Sequence, residues 1–344
     1  MSIFSSEDVI TEHISNADLK TYFVGYDFGR YRCDELVEKI IDAIVDFSFG
    51  FHEGILQTYT RSQVIKAAKQ VYKIVDYDIN NPDHNKLNSK GERLYNDADE
   101  FIEKKYLNRG EFGEVILHLL LRDFINTVPL ISKIYLKDSY GVTVKGLDAV
   151  HIGPSIKNPH EQSLYLGESK LHRTGESGVK ELIKDIEDHF NSDFLMGEFV
   201  LIGNKKRAFL PLDEYIDLNT KNEYEEFLKQ KTYWYEQLDN LQNGKGKLQD
   251  IFQRITIPLL CTYTSKVFEN HTDETTDEFR KEYEEEMNGL KILFDTELVK
   301  LKSKATLGQP ISTNLDIVLM LFPVPSKREL VKKLHTKLHH QQRA

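Results

Sequence analysis

Cysteine is nearly absent from this chain of 344 residues: only Cys33 and Cys261 occur, far apart and without a C-x-x-C spacing. That excludes a disulfide framework and a zinc knuckle, and both thiols are read as small buried apolar residues. No run approaches the roughly 18 to 20 apolar residues of a membrane span. The opening MSIFSSEDVITEH lacks the basic-then-apolar layout of a secretory leader, so no membrane partner is expected and the expected address is the cytoplasm. Positive charge is in deficit, with 45 Lys and Arg against 55 Asp and Glu and a net charge of −10. Such a chain does not coat nucleic acid non-specifically, although a local basic patch beside an acidic, cation-binding site is compatible with that sign. There is no Gly-x-x-x-x-Gly-Lys-Ser/Thr loop, no Gly-x-Ser-x-Gly elbow and no His-Glu-x-x-His helix. ATP hydrolysis, the usual serine hydrolases and the zinc proteases are thereby set aside. Neither an internal repeat nor a low-complexity segment is found.

What is present is a globular composition, 40% hydrophobic and 29% charged, enough for one large or two modest domains. Residues 1 to about 105 read as a helical N-terminal region, from apolar positions at helical spacing (Leu36, Ile40, Ile41, Ile44, Val45; Val64, Ala67, Ala68, Val71). The polar run from Asn80 to Asn85 is expected to be a loop. Residues 106 to 344 read as the core. It opens with a buried helix through Val115, Ile116, Leu119, Leu120 and Phe124. Strand-like runs follow at 132–136, 142–152 and 163–171, then a helix at 177–190 and a strand at 198–203. A helical insertion is expected at about 204–250, holding the single tryptophan, Trp234. Two further apolar strands, 255–263 and 315–322, flank a charged helix and precede a basic terminal helix. This order predicts an α/β fold with a mixed central sheet flanked by helices.

Four residues carry the chemistry: Glu114 on the buried helix, Asp148 in the second strand, and Glu168 and Lys170 in the third. Residues i and i+2 of a strand share a face, so Glu168 and Lys170 project together, and pairing with the neighbouring strand brings Asp148 beside them. Their company is apolar: Leu164, Tyr165 and Leu166 on one side, Leu147, Ala149 and Val150 on the other. Strands of this kind rarely accept a carboxylate without a cation, because an unpaired buried charge costs several kcal/mol. Phosphodiester hydrolysis uses such a set. Asp148, Glu168 and Glu114 suit the ligands of Mg²⁺, or of Mn²⁺, and Lys170 suits the positioning of a water. Lys180 and Lys184, one turn apart on the next helix, suit phosphate oxygens.

The segments RGEFGEVILHLLLRDF, KGLDAVHI and LYLGESKLHR, in their helix-strand-strand-strand-helix-strand order, resemble the PD-(D/E)xK nuclease superfamily with its restriction-endonuclease-like core. Within it the chain is most similar to the HamA effectors of Hachiman anti-phage defence. That resemblance implies Mg²⁺-dependent cleavage of DNA, with Glu114, Asp148 and Glu168 on the metal, and restraint by a superfamily 2 helicase of the HamB type. The proline usual before the motif aspartate is Leu147 here, and Glu111, three residues before Glu114, competes for the helix position.

Rival readings are a sequence-specific restriction-type endonuclease, and an inactive DNA-binding or scaffold subunit of a helicase complex. The structural alternative for Asp148 and Lys170 is a buried ion pair. Glu-x-Lys recurs at Glu103-Lys104-Lys105, read as a solvated face. His151 and His172 are read as hydrogen-bonded structural residues. His335, His339 and His340 are taken as a basic solvated face rather than a transition-metal site, and Trp234 as core rather than a base-stacking platform.

Overall fold

The apolar runs ITIPLLCTYT and DIVLMLFPV are buried almost end to end, the signature of strands covered on both faces. In the computed structural model they form the middle of a seven-stranded mixed sheet. The structure describes residues 5–50, 60–72, 74, 87, 89–92, 106–107, 109–132, 146–189, 195, 197–200, 221–247, 250–251, 253–304 and 316–343. The strands are β1 (Ile10–Ser15), β2 (Leu19–Val24), β3 (Tyr26–Asp27), β4 (Arg30–Tyr31), β5 (Val128–Pro129), β6 (Ala149–Pro154), β7 (Gln162–His172), β8 (Ile255–Thr264) and β9 (Asp316–Val324). The helices among the described residues are α1 (Cys33–Asp42), α2 (Ile44–Phe49), α3 (Arg61–Val71), α4 (Glu111–Ile125), α5 (Gly175–His189), α6 (Lys221–Gln242), α7 (Val267–Asn270), α8 (Asp277–Lys304) and α9 (Lys327–Arg343).

The sheet order is β1-β2-β9-β8-β7-β6-β5, with β3 and β4 forming a separate hairpin. Strands β2, β9, β8 and β7 run parallel, while β1 at one edge and β6 and β5 at the other are antiparallel to their neighbours. Alternation divides the side chains between two cores. Val318, Met320 and Phe322 of β9 join α1, α2, α3, α4 and α9 on one face; Leu319 and Leu321 join α5, α6 and α8 on the other. On β7, Tyr165 and Leu171 belong to the first face, Leu164 and Leu166 to the second. No helix among the described residues is long and apolar enough to cross a membrane.

Several expectations change. The N-terminal region is not helical throughout: Ile10–Ser15 and Leu19–Val24 are strands, and β2 pairs with β9 inside the main sheet. Tyr22 and Val24 face one core and Leu19 and Phe23 the other, a period of two that the stronger helical rhythm after residue 35 obscures. Residues 198–200 are helical rather than extended. His335 and His339 are buried, not solvated, and Cys33 is only partly buried, unlike Cys261. His335 packs against the Tyr106 ring at 4.2 Å and its Nδ1 bonds the Tyr72 hydroxyl at 2.8 Å, seating α9 on α3. Trp234 is fully buried in the second core, as expected. The loop at 80–85, the Glu103-Lys104-Lys105 segment, most of 132–136, residues 142–145 and the first part of the 204–250 insertion lie outside the described residues.

Candidate active site

The sheet register brings two of the predicted carboxylates face to face. Ala149 pairs with Gly167, and the Asp148 backbone N–H donates to the Gly167 carbonyl at 3.0 Å, so Asp148 stands one step beyond the ladder, opposite Glu168. Gly167 is required here by close approach: an added Cβ would lie 2.8 Å from Leu117 Cδ2, 3.2 Å from Pro258 Cγ and 3.3 Å from Ala149 Cβ. Helix α4 is thus pressed onto β7 directly ahead of Glu168. Asp148 is held by its Oδ2, which accepts from the Ser169 backbone N–H at 2.9 Å and the Ser169 hydroxyl at 2.8 Å.

Glu168 is 2% exposed. Burial first, and then the Asp148 charge, push its pKa up to about 8, against the opposing pull of His189. His189 closes on it from α5, with Nδ1 2.9 Å from Glu168 Oε1, and its own pKa is raised by that bond. Lys170 projects from the same face of β7 and pairs with Asp185 Oδ2 at 2.5 Å, also from α5. Burial works against the Lys170 charge, yet the Asp185 bond wins and its pKa is raised. The ion pair considered between Asp148 and Lys170 is therefore not formed as such; Asp185 is the lysine's partner. A further carboxylate, Glu198, is 6% exposed and would sit 3.4 Å from a Cβ added at Gly146. Burial raises its pKa, while the charge of His189 and a bond from the Leu147 backbone oppose the rise.

Glu114 lies on the helix packed against the other face of β7. It is 4% exposed on the first turn of α4, and its neighbour Gly113 lies over Ser169, whose Oγ would be 3.1 Å from an added Cβ. The structure thus gathers Asp148, Glu168 and Lys170 with Asp185, His189 and Glu198 through α5 and the 197–200 segment, and brings Glu114 to the opposite face of the same strand. Glu111 pairs instead with Arg109 at 3.3 Å. Lys180 and Lys184 are exposed on α5. His172 pairs with Glu181 at 3.0 Å. His151 bonds His118 at 3.1 Å and Thr127 at 2.9 Å, and burial holds its pKa low, as a structural histidine requires. A shallow recess lined by Phe47, His118, Pro129, Ile131, Asp148 and His151 among others borders Asp148.

Asp185, His189 and Glu198 escaped sequence reasoning. Asp185 and His189 are one helical turn apart, so they share a face. In a helix as charged as ELIKDIEDH that spacing looks like a solvated surface until the packing on β7 is known. As to a divalent cation, the cluster holds four carboxylates (Asp148, Glu168, Asp185, Glu198) against one lysine and one histidine. Asp148 Oδ2 is bonded to Ser169 and Glu168 Oε1 to His189, while Asp185 Oδ2 pairs with Lys170 and Glu198 accepts from the Leu147 backbone. Among the described residues no group of three or more His, Cys, Asp and Glu side chains is set to hold a metal ion as it stands. The donors fit a hard cation that keeps much of its water shell, as Mg²⁺ does.

A family model described as HamA matches residues 2–338. No curated protein matches the chain.

Proposed function

Because the chain belongs to the HamA family, the effector family of Hachiman anti-phage defence, we propose that it is a metal-dependent DNA nuclease of PD-(D/E)xK type, working with a helicase partner of the HamB type. The observation that carries this reading is the pairing of Asp148 with Glu168 across β6 and β7, with Lys170 two residues on along the same face. Mg²⁺ or Mn²⁺, when bound, would polarise the scissile phosphate and acidify a water. Asp148 and Glu168 would hold it; Glu114, the further ligand the resemblance implies, stands on the α4 side of β7 and is not among the side chains gathered around Glu168. Each of the protein's own groups has a distinct task. Ser169 fixes Asp148 through one carboxylate oxygen, and His189 does the same for Glu168, so that both acids are oriented before any cation arrives. Lys170, kept charged by Asp185, orients a water and offsets negative charge developing on the phosphate. Lys180 and Lys184 offer contacts to the backbone of the DNA, which locate the substrate without reading its sequence.

Plasmid and linear DNA incubated with the protein, alone and with its helicase, in Mg²⁺ or in EDTA, test this directly. The wild type is expected to degrade DNA only with metal. The folded Glu168→Ala/Lys170→Ala double variant is expected to lose that activity. Cutting by both proteins alike, or by neither in any arm, would reject the assignment.

A further inference from the structure

The hairpin after β2 carries a side chain that the fold itself does not use. Strands β3 and β4 pair Tyr26 with Tyr31 and Asp27 with Arg30, leaving Phe28 and Gly29 as a two-residue turn. Both have positive φ, 46° and 74°. Hairpin turns of this form favour Asn-Gly, because a left-handed backbone crowds the Cβ of a larger residue. Phenylalanine is a poor choice for such a turn and, at 100% exposed, gains nothing from burial. The other exposed large apolar residues described, Leu87, Val200, Ile292 and Val299, are each less exposed, between 38% and 67%.

The arm beneath the ring is packed and hydrogen-bonded. Tyr31 packs edge-on against Phe268 at 5.4 Å and against Tyr26 at 6.1 Å. The Tyr26 backbone N–H donates to Glu274 Oε2 at 3.0 Å, and the Arg32 N–H to the Gly25 carbonyl at 3.2 Å. A ring presented on a fixed arm loses little conformational freedom when it is captured. The surroundings select the partner's chemistry. Gly29 leans on Thr272, an added Cβ lying 3.7 Å from its side chain, which sets the tip beside the loop carrying Asp273 and Glu274. Asp27, Glu269 and Asp273 are exposed in this region, with Glu274 beneath them and Arg30 and Lys266 as counter-charges. An acidic setting repels a phosphate backbone, so a wedge driven between bases is disfavoured, and it attracts a basic rim.

We propose that the β3–β4 hairpin is a docking arm, and that Phe28 inserts into an apolar pocket with a basic rim on a partner protein. The identity of that protein rests on the helicase reading given above. Strand β2 runs parallel to β7, with Thr21 level with Lys170, so the hairpin lies beyond the C-terminal ends of the parallel strands, three strand spacings or about 14 Å across the sheet from β7.

The test uses the full chain, as wild type and as Phe28→Asn, titrated against the helicase subunit of the same Hachiman system by biolayer interferometry at low and high NaCl. Asparagine suits the turn, so the variant is expected to melt at the same temperature or higher, yet to bind about tenfold or more weakly. Wild-type affinity is expected to fall with salt. A smaller loss in the variant would overturn the docking arm while leaving the helicase reading intact, whereas no complex with either protein would overturn both. Phe28-dependent dimers of the chain alone, seen by sedimentation, would overturn the proposal in favour of a second copy as occupant.

Discussion

Glu168 shows how burial beside a like charge sets the protonation of one side chain. Its folded pKa of about 8 lies above the ordinary carboxylate value, because burial and the Asp148 charge both disfavour ionisation. The native state therefore holds a proton that the unfolded chain releases near pH 4.5. The resulting stability is complete below that pH and is lost as pH rises through about 8. Glu168→Gln stays neutral throughout. In EDTA its melting temperature is expected to pull ahead of wild type as pH is raised from 5 to 9, with the gap levelling off above about 8. Added Mg²⁺ is expected to narrow that gap, since it favours the ionised acid. A melting-temperature difference that stays constant over the pH series would show that Glu168 is already fully compensated by His189.

At the scale of elements, the site depends on how closely α5 lies on the sheet. A Cβ added at Gly178 would fall 2.3 Å from Cys261 Sγ, and Cys261 is wholly buried in β8 and cannot swing aside. Gly178→Ala is therefore expected to lift α5, costing about 1–3 kcal/mol as overpacking does, and, on the proposed function, to lower DNA cleavage by moving Asp185 and His189. Combining it with Cys261→Ala makes room for the new methyl. Recovery of both melting temperature and activity in the double variant is the expected result; recovery of neither would place the fault in the helix itself. The same packing decides what could be read from sequence. Strands β7, β8 and β9 were legible because their apolar runs are long and bounded by turn residues. Asp148, Glu168 and Lys170 were legible because charge inside such strands is conspicuous. Asp185 and His189 were not, since only the docking of α5 tells their face from that of Lys180 and Lys184. In α9 the histidines followed the basic tone of HTKLHHQQ, although Leu330, Val331, Leu334 and Leu338 mark a buried stripe that His335 adjoins. The segment at 197–200 misled in the other direction, its apolar, partly β-branched composition suggesting a strand where contacts hold a helical turn.

For the whole molecule, the N-terminal strands are structural members rather than an accessory region. Strand β2 supplies Tyr22 and Val24 to one core and Leu19 and Phe23 to the other, and covers the flank of β9. Removing residues 1–24 is expected to bare that flank and both apolar faces beside it, giving an aggregating product that binds hydrophobic dyes. A soluble truncated protein with an unchanged melting temperature would mean that β9 can close the sheet alone. The same pairing sets a timetable for biosynthesis. Leu19 lies beside Leu319, so a strand made early has no neighbour on that side until some 300 residues later, roughly 15 to 60 s at ribosomal rates of about 5–20 residues per second. During that interval the nascent β1–β2 hairpin keeps one edge unpaired, and the sheet beneath the acidic cluster remains unfinished. A chain wired in this order cannot complete its platform while most of it is still being translated.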